Sequence, residues 1–67
     1  MKRLQGKAYH NKKESLEIYA YSESPNNRIC IYLKDAQENE YCHWLNDDES
    51  KSFDKTKYPE REPVYAD

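Results

Sequence analysis

The soft metal-ligand side chains in this sequence are Cys30, Cys42, His43 and His10. Small zinc sites hold the ion between closely spaced ligand pairs. Here Cys42 and His43 are adjacent, Cys30 stands alone, and no C-x2-C pair exists. That is a poor ligand set, and neither a metal nor any other cofactor is expected. Glu40, Cys42 and His43 also invite an acid–base reading. Along a strand, however, neighbouring side chains leave on opposite faces, which parts Cys42 from His43. No Ser/His/Asp set appears, and Gly6 is the lone glycine, so no glycine-rich phosphate loop exists. A chain of 67 residues also has little room for a water-excluding pocket. These absences argue against an enzyme. Two cysteines are too few for a disulfide scaffold and fit free thiols in a reducing compartment. A bridge between them requires a register that sets Cys30 opposite Cys42.

The other chemistry on offer is contact. Seven tyrosines, one Trp and one Phe supply much of the large apolar area. A tyrosine ring sits half buried with its hydroxyl in water, so it serves a small core and a partner surface equally well. Which of these a ring does depends on the side of the element that carries it.

Residues 14–23 (ESLEIYAYSE) alternate, with Leu16, Ile18 and Ala20 on one side and Glu17, Tyr19, Tyr21 and Glu23 on the other. Period two with β-branched and aromatic residues predicts a strand. Residues 24–27 (SPNN) are turn chemistry, since Pro presets φ and Asn tolerates left-handed backbone. A second strand follows, RICIYLK, with Ile29, Ile31 and Leu33 opposed to Arg28, Cys30, Tyr32 and Lys34. Polar residues 35–39 make a hairpin loop, and EYCHWL returns with Tyr41, His43 and Leu45 against Cys42 and Trp44. An earlier strand over residues 3–10, anchored by Leu4 and Ala8 and joined through Asn11, Lys12 and Lys13, would complete a four-stranded antiparallel meander.

After Leu45 the period fails. Asn46 is placed to cap a short helix from Asp47, with acids in its first turn and Phe53 to dock it. Residues 57–67 hold Pro59 and Pro63 and have no period, which favours an extended or disordered tail. The expected organisation is one mainly β domain over residues 1–56 and that tail. So small a domain buries only roughly 60% of its unfolded surface and folds marginally. Its aliphatic face needs the Phe53 segment, closure into a small barrel, or a second copy in a homodimer.

Net charge is −2, yet it is unevenly spread. Residues 1–13 carry five of the eleven Lys and Arg residues and no acid, leaving six bases against all thirteen acids in the remainder. No apolar run is long enough to span a membrane and no signal-peptide core follows the basic start, so a cytoplasmic protein without membrane contact is expected. A face bearing Tyr19, Tyr21, Tyr32 and Trp44 opposite the aliphatic stripe would be a contact surface. Asp47, Asp48 and Glu49 would add charge that orients a larger protein partner. The reading is therefore a non-enzymatic protein-binding module. By class-level analogy, it would be an inhibitor or regulator of the kind that phage and mobile elements direct at larger host proteins. The alternative uses the same aromatics with Arg28, Lys34 and the basic start: a small barrel that stacks single-stranded nucleic acid. The acidic remainder works against that alternative.

Overall fold

The structure, a computed structural model, describes residues 2–12 and 15–62. Its elements run β1 (Lys2–Arg3), α1 (Gly6–Lys12), β2 (Glu17–Glu23), β3 (Ile29–Lys34), β4 (Glu40–Trp44), α2 (Asp47–Ser52) and a 3₁₀ turn (Lys55–Lys57). The fold is mainly β: one four-stranded sheet in the order β1-β4-β3-β2.

Strands β2, β3 and β4 form the expected antiparallel meander. Its two turns are locked by side chains that imitate backbone. Ser24 Oγ accepts from the amides of Asn26 and Arg28, and Asn27 takes the left-handed φ of 63°. In the second turn one carboxylate does most of the work. Asp35 accepts from the amides of Gln37 and Asn39, each at 2.9 Å, and from the Tyr41 hydroxyl at 2.9 Å. Burial is the largest single influence on the Asp35 carboxyl and raises its pKa, but the bonds from Asn39, Tyr41 and Gln37 together outweigh it and hold the group below its ordinary value.

The first strand differs from expectation in length, place and direction. Only Lys2–Arg3 is extended, and it pairs parallel to β4 with Lys2 beside Tyr41 and Arg3 beside Cys42. The sheet is thus mixed rather than purely antiparallel, and it stays open rather than closing into a barrel. Residues 6–12, expected as strand and turn, form α1. Leu4 stays outside the helix, buried with its amide donating to the Cys42 carbonyl at 2.9 Å, and only Ala8 of the two expected anchors lies on α1. Helix geometry wins because it adds Tyr9, whose ring stacks on His43 of β4 at 4.5 Å. His10 and Lys12 fall in the last turn of α1, where positive charge favours the dipole. The turn residue Lys13 lies outside the described residues.

The main core lies between one sheet face and the helices. Tyr21, Ile29, Ile31, Leu33, Tyr41 and Leu45 form its floor, with Leu4 and Tyr9 buried against them. Phe53 and Tyr58 close the far side, their rings stacked at 5.4 Å. Phe53 thereby docks α2 on the sheet, as the sequence required. Asn46 caps that helix reciprocally: its Oδ1 accepts from the Glu49 amide at 2.8 Å, and Glu49 Oε1 accepts from the Asn46 amide at 3.1 Å. Ser50 Oγ accepts from the Ile29 amide, fixing the helix to the start of β3.

Beyond the 3₁₀ turn the chain is extended beside β2. Tyr21 donates its amide to the Pro59 carbonyl at 3.2 Å and accepts from the Arg61 amide at 2.9 Å. Glu60 makes the corresponding parallel bridge. Prolines suit an edge, where an absent N–H faces away from the ladder. The remaining tail residues, 63–67, lie outside the described residues.

Candidate partner-binding face

A β-bulge in β2 decides which tyrosines belong to which face. The pairing runs Glu17 with Lys34 and Ile18 with Leu33, then resumes at Ala20 with Tyr32, skipping Tyr19. One extra residue reverses every side chain that follows it. Ile18 therefore faces the main core, but Ala20 does not. Tyr21, read from alternation as opposite the aliphatic stripe, turns into the main core and is 8% exposed. There it meets Phe53 at 5.5 Å.

The second face then consists of Cys42 and Trp44 from β4, Cys30, Tyr32 and Lys34 from β3, and Tyr19, Ala20 and Ser22 from β2. Its centre is a second core rather than a surface. Tyr32, expected as a contact residue, is 0% exposed, and Cys30 and Cys42 are buried beside it. The Tyr32 hydroxyl shares a hydrogen bond with Ser22 Oγ at 2.9 Å. Arg61 lies over the Tyr32 ring, its guanidinium carbon 4.7 Å from the centroid. A large half-polar ring is buried here because its one polar atom has a buried partner and its face has a cation.

Tyr19 and Trp44 remain half-buried at the flanks. Lys34 sits 4.9 Å over the Tyr19 ring, and Arg28 sits 5.8 Å over Trp44. The Tyr19 hydroxyl donates to Glu40 Oε1 at 2.6 Å and accepts from Arg61 Nη1 at 3.2 Å. Partial burial, followed by the bond to Glu40, pushes the Tyr19 phenol up to about 12. The parallel pairing of β1 adds Arg3 to this face, level with Cys42. The flanks are thus aromatic and cationic, with Glu17 and Glu40 on either side of Lys34 at one end only.

The acidic stretch sits elsewhere. Asp47, Asp48 and Glu49 are the first turn of α2, where carboxylates favour the helix dipole. Asp47 and Asp48 are exposed. Glu49 is half-buried, closing the cap and lying 3.9 Å from His10 Nε2. Asp47 lines a cleft with Asn26, which also borders Trp44, whereas Glu49 lines a different cleft with Tyr9 and Phe53.

The cysteines and His43 are also divided by the sheet. The register sets Cys30 opposite Trp44 and Cys42 opposite Tyr32, so the two cysteines are diagonal neighbours and both are free thiols. Burial, and secondarily the neighbouring Cys42, pushes the Cys30 thiol up to about 11. His43 is on the other face, buried against Tyr9, and burial holds its pKa below 6.5. Among the described residues no three His, Cys, Asp or Glu side chains come together in a way that could hold a metal ion. Among them, too, no helix is long and apolar enough to cross a membrane.

Arg3 and Arg61 carry much of the cationic character of this face, and neither stood out in the sequence. Arg3 is placed by a two-residue parallel strand, Arg61 by an edge pairing 40 positions from Tyr21, as the shared bonds show. Local pattern signals neither event. No protein-family model, curated protein or solved structure matches the chain at a significant level.

Proposed function

We propose that the protein is a non-enzymatic protein-binding module, acting on a larger partner as an inhibitor or regulator, through the flanks of its second sheet face. One observation supports this most: Tyr19 and Trp44 stand half-buried at opposite ends of that face, each with a cation stacked on its ring. Trp, Tyr and Arg are the residue types that dominate binding energy at protein interfaces, because they combine wide apolar area with a directed polar end. Asp47 and Asp48, exposed in the first turn of α2, act in orientation rather than contact. Tyr21 and Tyr32 support the face from within.

The test is affinity capture from cells that produce the protein, with nuclease added, comparing the natural sequence with Trp44→Ala and Tyr19→Ala. A captured protein retained at least about tenfold less by either variant, at unchanged circular dichroism, is the expected result. Failure to retain any protein above a control bait would overturn the reading. Capture abolished by nuclease would instead favour the stacking of single-stranded nucleic acid on the same residues.

A further inference from the structure

We infer that the outer edge of β2 takes an extended, arginine-bearing segment of the partner protein, in the place that residues 59–61 of this chain occupy. The inference rests on the reading of the protein as a protein-binding module and names the kind of segment it binds. Among the described residues, the outer edge of this seven-residue strand is paired at Tyr21 alone.

The chain's own segment shows how such a ligand is read. Tyr21 donates its amide to the Pro59 carbonyl at 3.2 Å and accepts from the Arg61 amide at 2.9 Å. Backbone bonds of this kind join an extended peptide to a sheet edge whatever its sequence, so selection falls to the side chains. The Arg61 guanidinium meets two tyrosines of the second face. Its carbon lies 4.7 Å from the Tyr32 ring centroid, and its Nη1 donates to the Tyr19 hydroxyl at 3.2 Å. Tyr19 gives its own proton to Glu40 Oε1 at 2.6 Å, which leaves the hydroxyl an acceptor toward the guanidinium. Lys34 lies over the Tyr19 ring and 3.7 Å from Glu38, and so leaves that hydroxyl to the arginine. A planar guanidinium stacks on one ring while aiming an N–H at the other tyrosine. An ammonium lacks the plane for this.

The resident segment is lightly attached. Residues 59–62 are exposed, whereas Phe53 and Tyr58 before them are half-buried, stacked at 5.4 Å on the core. Exposed backbone bonds at a sheet border open at lower free energy than the core beside them. Opening between Tyr58 and Pro59 would free the edge and leave the sheet intact. Tethering holds the segment at an effective concentration on the order of millimolar, so it competes with any partner. A longer partner strand pairs with more of β2 than this single bridge does.

A peptide with the sequence of residues 57–62, KYPERE, tests this by titration into the isotope-labelled full chain, read by NMR at the Tyr21 amide. Arg61→Pro removes both the Arg61 N–H and its guanidinium. That variant should bind the peptide at least about tenfold more tightly than the natural chain does. Glutamine in place of the peptide's arginine should lose about tenfold in affinity, and lysine should lose part of it. Combined with Arg61→Pro, Tyr19→Phe should weaken the arginine peptide and leave the glutamine peptide unchanged. If Arg61→Pro melts early, Arg61→Ala removes the side chain alone, and a smaller gain is still expected. Equal binding by the natural chain and the variant, equal binding of the arginine and glutamine peptides, or no shift at Tyr21 would overturn the proposal. So would a concentration-dependent dimer of the natural chain that Arg61→Pro abolishes, because the segment would then belong on a second copy. A host protein captured equally by the natural chain and Arg61→Pro, and not released by the peptide, would remove the edge site but leave the module. Capture of no host protein would remove the module itself.

Discussion

At the scale of single residues, the second face is a lesson in what a buried tyrosine requires. Tyr32 Oη and Ser22 Oγ are each other's answer in a place almost without solvent. Tyr32→Phe leaves the serine hydroxyl without that partner and should lower stability by about 1–2 kcal/mol. Adding Ser22→Ala should recover part of the loss, read from urea midpoints at unchanged slope. His43 gives the clearest pH signature. Its ordinary pKa of 6.5 is lowered in the fold, chiefly by burial, which outweighs the opposing hydrogen bond to the Leu4 backbone and the charge of Glu49, with His10 and Arg3 adding to the lowering. The unfolded chain therefore takes up its proton first. Stability should be full above pH 6.5, begin to fall below it, and finish falling only below the folded-state pKa. A His43→Gln variant should lack this step while keeping the losses at lower pH, where the depressed carboxyls of Asp35, Glu40 and Asp54 titrate. The cysteines are a third case. A thiol raised to about 11 and buried has almost no thiolate near neutrality. A thiol reagent should find neither Cys30 nor Cys42 in the native protein, and both in denaturant.

Among the elements, what the sequence disclosed and what it hid divide along the range of the interactions. Strands β2 to β4, both turns and the cap of α2 were legible because each depends on residues within a few positions of one another. Asn46→Ala should accordingly cost about 0.5–2 kcal/mol, while Asn46→Asp, which keeps an acceptor, should cost less. The second turn holds Glu38 at a φ of 66°, a conformation that disfavours a side chain with Cβ. Its ion pair with Lys34, 3.7 Å long and well exposed, contributes little. Glu38→Gly should therefore raise the melting temperature. The bulge at Tyr19 was not legible. Leu16, Ile18 and Ala20 alternate without a break, and nothing in their types marks the extra residue. The gain comes from elsewhere in the chain, where Phe53 and Tyr58 offer Tyr21 an aromatic pocket. The same blindness made α1 a strand, because the stacking of Tyr9 on His43 spans 34 positions, as their numbers show. Tyr21 was placed on the wrong face for this reason; Tyr32 lies on the face expected of it but is buried there, and Tyr19 and Trp44 are half-buried at its flanks.

For the whole molecule, the charge asymmetry of the sequence is partly folded back on itself. Lys2 and Lys12 each lie 5.7 Å over the Tyr41 ring, and His10 approaches Glu49. The second face carries Arg28, Lys34 and Arg61 over its aromatic rings. Arg61→Ala removes the cation over Tyr32 and the donor to Tyr19, and should lower stability by about 1 kcal/mol. The two outer pairings of the sheet have a common arithmetic. Lys2 meets Tyr41, and Tyr21 meets Glu60, each across 39 positions of chain. A ribosome adding about 5–20 residues per second leaves each of those edges waiting for roughly 2–8 seconds. During synthesis, then, β4 emerges with its partner β1 already made, whereas the β2 border stays bare until residues 59–61 arrive and can invite the wrong neighbour. Crowded polysomes, where sister chains emerge side by side, are where this fold would be most at risk.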